Sequence, residues 1–533
     1  MAKRAMISGA IVCHRPFGAA TDCAKFVKTK EQILQRREII LLLTLLCLGI
    51  SLRLIEISRP FVGEWSWRQT DVAMIAENFY YNGFNILYPQ INWAGNNPGY
   101  VGTEFPLVPF IASLLYVFFG VHEWIGRSVS VFFFAMSVPF LYLLVRKVSN
   151  QRSALFAVAI YNLAPLGIFA SRSFMPDMTS LSFSIIALYF FSEWLNRQTT
   201  KSKLFVAAIA ATSLAILVKL PAIIIGLPLI YMAWQEYRAK IVFRRELWVF
   251  VALSLVFPLA WYFHAYLISV SHFPHHMFGS GGIGVESLSR YDKILRQAAT
   301  SSLTPLLSAT MLVGIFLPFP AKFGRVFHWW LLAILFFAVI AGRGHRHSWY
   351  LLPIVPVAAA FAGKTCDFVL SRVAQRAHSK IITALASFIF FSSLSYFSFA
   401  YIKPLYGPWG MRSFNAGSEL NRIAPRHALV IVADGGDPTC LYYSKRKGWH
   451  FLDNFGIAPA DSQQAIIELE KLRKRGASYL VFTRYTGWWL DYYKDFQKYL
   501  DSRYPRVRQT EDYVIFDLMG SPKDDGQPHR PEP

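Results

Sequence analysis

The 533-residue chain reads as an α-helical polytopic membrane protein with a small α/β domain at its C-terminal end. Composition is the first reason: 54% of residues are hydrophobic and only 16% charged, beyond the range of ordinary soluble domains. The second is periodicity, because runs rich in Phe, Leu and Ile recur at about 17–22 residues, the length that crosses a bilayer core. The third is where the net charge of +22 resides. Lys and Arg gather in short segments between alternate apolar runs, the positive-inside pattern. A nucleic-acid binder would concentrate them on one soluble face, so nucleic acid is excluded as a partner. The five cysteines have neither zinc nor redox spacing.

Residues 1–37 are polar and basic (Lys25, Lys28, Lys30, Arg36, Arg37) and read as a cytoplasmic arm. The run Ile39–Ile57 is too long for a signal-peptide core and lacks a small-residue cleavage site, so it stays as a span. A polar first outer loop, 58–126, follows. Within it Phe105–Gly120 is apolar but short of about 20 residues. Taking it as an interfacial helix places every later basic cluster inside. The remaining spans are Arg127–Val145, Ala154–Ala170, Met178–Leu195, Leu204–Val218, Pro221–Trp234, Leu247–Ile268, Leu303–Pro318, Phe327–Ile340, Trp349–Gly363 and Ile381–Ala400. That makes about eleven, with the transmembrane domain over 38–400. Pro404, Gly407, Pro408 and Gly410 then mark a hinge into an outer α/β domain, 401–520. It is predicted to hold strands at Ala428–Ala433, Tyr479–Thr483 and Tyr513–Leu518, and a helix from Asp461 to Gly476. The tail 521–533 has a disordered composition.

Polar residues collect at the outer ends of these spans. The first loop gives Arg68, Asp71 and Glu104; the span ends give Arg172, Asp177 and Lys219; later loops give His272, His275, His276, Arg343, Arg346 and Tyr350. Ionisable residues at membrane depth are costly and usually mark a functional pathway. Glycosyl transfer from a lipid phosphate needs a carboxylate to accept the acceptor's proton and cations to neutralise the leaving phosphate. Asp71, Glu104 and Asp177 supply the first requirement; Arg68, Arg172, Lys219, Arg343 and Arg346 supply the second. Bland roles compete. Asp71 and Asp177 suit helix N-caps, Lys219 suits snorkelling, the histidines suit a solvated loop, and Lys445-Arg446-Lys447 suits a solvated turn. Trp65, Trp67 and Trp93 read first as an interfacial belt and second as a sugar platform.

The first loop carries an acid before an Ala-rich helix, then Gly83 and Glu104-Phe105-Pro106. It resembles the GT-C integral-membrane glycosyltransferases, in particular the bacterial protein O-mannosyltransferase and lipid A aminoarabinose transferase group. Gly120-Val121-His122-Glu123-Trp124-Ile125-Gly126-Arg127, Met175-Pro176-Asp177 and His347-Ser348-Trp349-Tyr350-Leu351-Leu352-Pro353 are similar to further elements of that group, so the resemblance covers roughly 38–365. It implies a polyprenyl-phosphate sugar donor, a glycan, lipid or protein acceptor approaching from outside the cytoplasmic membrane, and inversion at the anomeric carbon. It also implies a divalent metal shared by Glu104 and one of His272, His275 and His276. One departure stands out: aligning through Ala73 and Gly83 places Arg68 on the leading acid's site and Asp71 a turn later. Two other classes compete with the enzyme. A flippase of lipid-linked sugars would show matching halves and polar groups at midplane, and a scaffold would function through its C-terminal domain alone.

Overall fold

The computed structural model describes residues 20–197, 203–278, 283–343, 347–452 and 458–520. Every predicted apolar run is helical. In chain order the helices of the first half are α1 (Ala20–Leu54), α2 (Ser66–Asn82), α3 (Leu107–Phe119), α4 (Glu123–Val148), α5 (Gln151–Leu163), α6 (Pro165–Arg172), α7 (Asp177–Arg197), α8 (Lys203–Val218), α9 (Gly226–Tyr237) and α10 (Arg245–Ser271). They are followed by α11 (Leu288–Gln297), α12 (Pro305–Ile315), α13 (Val326–Ile340), α14 (Ile354–Ala377), α15 (Lys380–Ile402) and α16 (Met411–Ile423). By length and composition, five of the described helices can cross a membrane, or seven if each sharply bent pair counts as one span. The bent pairs are α5–α6, at 64°, and α11–α12, at 104°. Both breaks sit at a proline, Pro165 and Pro305, whose ring removes a helical hydrogen bond and clashes with the preceding turn.

Helix α3 has only 13 residues. It buries Val108, Ala112 and Tyr116 while Leu114, Val117, Phe118 and Phe119 are exposed, as an element lying at an interface would.

Beyond α16 a five-stranded sheet forms from β1 (Leu429–Ala433), β2 (Lys447–His450), β3 (Ala477–Thr483), β4 (Arg506–Gln509) and β5 (Tyr513–Asp517), in the order β2-β1-β3-β5-β4. The strands β2, β1 and β3 run parallel, and β5 is antiparallel to β3. Helix α17 (Thr439–Ser444) follows β1, and α18 (Ser462–Lys474) starts at Asp461, whose Oδ1 accepts from Gln464 N at 2.8 Å.

Alternation along β1 and β3 splits the core in two. Ile431, Leu480 and Phe482 pack under α18. Val430, Val432 and Val481 face the opposite way, into a core shared with α2, α3 and the first loop. The sheet is therefore joined to the membrane domain by apolar packing.

Polar contacts reinforce that joint. Gly448 N donates to Asn92 O at 2.9 Å and Gly95 N to Gly448 O at 2.7 Å, so the first loop pairs with the outer edge of β2. Lys445 Nζ reaches Glu77 at 2.5 Å. Arg446, expected in a solvated turn, is buried and donates to the carbonyls of Asn421 (3.1 Å) and Ala424 (2.6 Å) at the end of α16. A helix end leaves such carbonyls without intrahelical partners, which is what draws the guanidinium inward.

Gly95 sits at φ +60°, and a Cβ there would lie 2.0 Å from the Trp449 ring. Gly95→Ala is expected to cost about 1–3 kcal/mol through overpacking. Thermal unfolding in detergent should show the lowered midpoint, with proteolysis beginning in the sheet.

Candidate functional site

Helix α2 is polar yet almost wholly buried, which marks it as lining something. It starts after Trp65, held at φ 63°, and stops at Gly83, φ 88°, a backbone state that glycine adopts without strain. Arg68 and Asp71, three residues apart, share one face. Asp71 lies inside the helix and is not its N-cap. Glu104 is fixed from the other side. Gly102 donates to His276 O and accepts from Phe278 N, and passes so close to α10 that a Cβ would be 2.4 Å from Ala265 O. Phe105 N then bonds Leu217 O at the end of α8, which brings Lys219 alongside.

The result is a buried chain of alternating charge. Arg68 Nη2 bridges both oxygens of Glu104, at 3.0 and 2.8 Å. Lys219 Nζ is 4.0 Å from Glu104 Oε1 and 2.7 Å from Asp177 Oδ1. Its ammonium also lies over the Tyr350 ring at 5.4 Å, and Phe278 covers Arg68 at 4.8 Å. Lys219 thus does not snorkel; it is paired in the interior. Burial raises the Glu104 carboxyl, but Arg68 and Lys219 outweigh it and hold the group down at about 2. Asp71 goes the other way: burial lifts it to about 7 against the opposing pull of Arg68 and His450. Asp71 Oδ1, Arg68 Nη1 and Asp177 Oδ2 are buried without a hydrogen-bond partner. Polar atoms of that kind are normally satisfied, and three in one cluster point to a ligand.

An apolar groove of about 540 Å³ opens beside Phe105, lined by Leu214, Leu217, Phe257, Trp261 and His264 between α8 and α10. A second crevice runs from Asp177 and Lys219 to Trp330, Trp349 and Tyr350.

Other expected residues lie elsewhere. Arg172 donates to Glu56 O at 2.7 Å and covers the Tyr406 ring, in a separate crevice with Arg59 and Arg127. Arg343 is exposed in the turn after α13, its backbone bonded to Gly284. Arg346 lies outside the described residues. Trp65 is buried against Phe169 and Trp349, so it forms no open sugar platform.

The histidines do not gather at Glu104. His272 faces Tyr88 and Tyr100, His275 Nδ1 contacts Val270 O at 3.1 Å, and His276 packs against Trp93 and Phe278. Among the described residues no three His, Cys, Asp or Glu side chains converge on one point. With both its oxygens engaged by Arg68, Glu104 does not fit the shared metal site, and no step is derived through a metal.

Sequence reading missed Asp434 and His450, at the C-terminal ends of β1 and β2. Their carboxyl and imidazole are 2.8 Å apart and buried, with Trp93 between them and α2. A carboxylate just past a β-branched strand was the available signal, since ligands of parallel sheets bind outside the carboxyl ends of their strands.

The sequence profile of the family described as dolichyl-phosphate-mannose-protein mannosyltransferase matches residues 101–262, a stretch that includes Glu104, Asp177 and Lys219. ArnT from Cupriavidus metallidurans, solved with undecaprenyl phosphate, is similar over 90% of this chain and 98% of its own, at TM-score 0.58 and 15% identity. The archaeal oligosaccharyltransferase AglB from Archaeoglobus fulgidus, in complex with an inhibitory peptide and a dolichol-phosphate, is similar over 92% of this chain and 75% of its own, at TM-score 0.63 and 12% identity. The mycobacterial arabinofuranosyltransferase AftD is similar over 91% of this chain and 42% of its own, at TM-score 0.53 and 12% identity. A further structure of the Archaeoglobus oligosaccharyltransferase holds Zn and sulfate. In sequence, an uncharacterized protein of Aquifex aeolicus is 24% identical over 297 residues, and the match spans 52% of this chain and 62% of that one. The chain has the GT-C fold of integral-membrane glycosyltransferases.

Glu104→Gln removes the charge between two buried cations. Loss of a buried partner costs about 3–5 kcal/mol, so the thermal midpoint in detergent should fall well below that of the parent protein.

Proposed function

We propose that this protein is a membrane glycosyltransferase that moves a sugar from a polyprenyl-phosphate donor to an acceptor on the outer face of the cytoplasmic membrane. The buried charge chain, with its three unpartnered polar atoms beside an apolar groove, carries the reading. A lipid-linked sugar has the matching anatomy of anionic head and apolar tail. ArnT with undecaprenyl phosphate and AglB with dolichol-phosphate support a donor of that class.

In the mechanism the prenyl tail lies in the groove beside Phe105. The donor phosphate meets Lys219 and the unpaired Nη1 of Arg68. The acceptor oxygen attacks the anomeric carbon from the Asp71 side, the bond to phosphate breaks, and configuration inverts. Asp71 takes the acceptor's proton. Lys219 and Arg68 stabilise the charge that builds on the leaving phosphate, at fixed distance and away from water, where such stabilisation is largest. Glu104 keeps both cations in place and Asp177 anchors Lys219 from behind.

The orientation rests on the opposite end of the bundle. There Lys147 pairs with Glu193 and Lys322 with Glu236, close to the basic segments that the positive-inside pattern assigns to the cytoplasm. The site at the start of α7 is then outside, as are the C-terminal sheet and its joint with the first loop. The sugar is a hexose or pentose.

Mass spectrometry of envelope glycans and glycolipids from a strain lacking this chain should reveal one missing sugar and its acceptor together. Returning Asp71→Asn should leave the defect in place, with transfer reduced about 10²–10⁴-fold. Full complementation would overturn the assignment. With Asp71 at about 7, the parent's transfer rate should rise with pH through that value, because the base works only when ionised. A rate that falls over the same range would remove Asp71 from the role of base.

A further inference from the structure

Helix α15 is seated on the bundle along only part of its length. Of its 23 residues Leu394, Ser398 and Ile402 alone are buried, and the Ser398 hydroxyl donates to Leu163 O at the end of α5. From Lys380 to Ser393 no residue is buried.

A furrow results. One stripe of α15 lines it from end to end, through Thr383, Ser387, Phe388, Phe391, Ser395 and Ile402, positions that share a helix face. Helix α5 is its floor and α1 its far wall. The apolar part has a volume of about 1190 Å³, more than twice that of the groove beside Phe105. Towards the start of α15 it opens into a polar cavity of about 550 Å³. Arg152 and Phe156 line both parts, so the two are continuous.

The charged groups facing the polar cavity come from three elements. Arg152 stands on α5, Asp367 on α14 and Lys380 on α15, with His378 in the turn between the last two. Asp367 is already engaged, its Oδ2 accepting from Asn150 Nδ2 at 2.7 Å and from Ser153 Oγ at 3.1 Å. Among the described residues neither Arg152 nor Lys380 forms an ion pair. The far end of the furrow carries Glu56 and Lys403, one charge of each sign. Excess positive charge therefore lies at one end only.

We propose that the furrow binds one anionic glycerophospholipid, with its phosphate facing Arg152 and Lys380 and its two acyl chains along α15. The charge selects the head, because basic pockets between membrane helices attract anionic headgroups. A zwitterionic lipid would set its own cation against the same two side chains. The volume selects the tail: the furrow has room for two chains where the groove beside Phe105 takes one. Arg152 lies just past the end of α4, close to the Lys147–Glu193 pair, so the orientation proposed above puts this head in the cytoplasmic leaflet. Binding itself depends neither on that orientation nor on the transferase reading. The lipid fills the gap between the first and last helices of the membrane domain, and so steadies the helix from which the C-terminal sheet is hung.

Native mass spectrometry of the detergent-solubilised full chain tests the site, with phosphatidylglycerol and phosphatidylcholine of identical acyl chains as probes. The parent should hold one phosphatidylglycerol, and hold it more tightly than phosphatidylcholine. Arg152→Gln combined with Lys380→Gln should weaken phosphatidylglycerol about 30-fold, the effect of two cations at a membrane surface. Arg376→Gln removes a cation from the same end of α14 but outside the cavity, and should keep the parent's affinity. Ser395→Trp, at an exposed position, fills the apolar furrow with both cations intact and should abolish binding. It supplies the reading if the double variant folds poorly. Equal affinity for the two lipids, or a loss in Arg376→Gln as large as in the double variant, overturns the proposal. So does a dimer that Ser395→Trp dissociates, which would seat a second copy of the chain in the furrow.

Discussion

The interaction on which the site depends is the clasp of Glu104 between Arg68 and Lys219. Three charged groups in a low-dielectric interior are stable only as a set, because each alone would pay a large desolvation cost. The set also spans three separate pieces of chain: α2, the loop ahead of α3, and the end of α8. Gly102 is small enough to let the loop pass α10, and the bond from Phe105 N to Leu217 O ties that loop to α8. Charge pairing and backbone geometry therefore specify one another.

That clasp divides labour among the carboxylates. Glu104 is held at about 2 by two cations, so it is a permanent anion whose value is structural and electrostatic. Asp71, raised to about 7 by burial, can exchange a proton near neutrality. Two acids that both neighbour Arg68 thus differ in charge state because only one of them has both oxygens in a cation's grip. The atoms of Asp71, Arg68 and Asp177 without a partner are what the clasp leaves unsatisfied.

Much of the fold was legible because helix formation in a bilayer is local. A long apolar run has to satisfy its own backbone, so Ile39, Arg127 or Ile381 announces a helix without reference to anything distant. Pro165 and Pro305 are equally local signals, yet the spans Ala154–Ala170 and Leu303–Pro318 are read straight through them, and the structure breaks the helix at each. Charges that interrupt such runs were equally visible, which is how Arg68, Glu104, Asp177 and Lys219 came to be grouped. Their partners were not visible. Arg172 occupies the same kind of position as Lys219, yet it turns to the carbonyl of Glu56, a choice made by the packing of α6. Lys445 and Arg446 read as solvent-facing because the carbonyl ends of α16 and the carboxylate of Glu77 that receive them come from other elements. Asp434 and His450 escaped notice for the same reason: Trp93, which packs on His450, lies hundreds of residues earlier in the chain.

The pairing of the Asn92–Gly95 loop with β2 has a temporal meaning as well. The ribosome delivers the first loop early and β2 late, after every membrane helix has emerged. Until β2 arrives, Trp93 has no imidazole to rest on and α2 has one face without its cover. A growing chain thus completes its membrane helices first, and the buried charges of α2 are the last part of the bundle to be sealed from water.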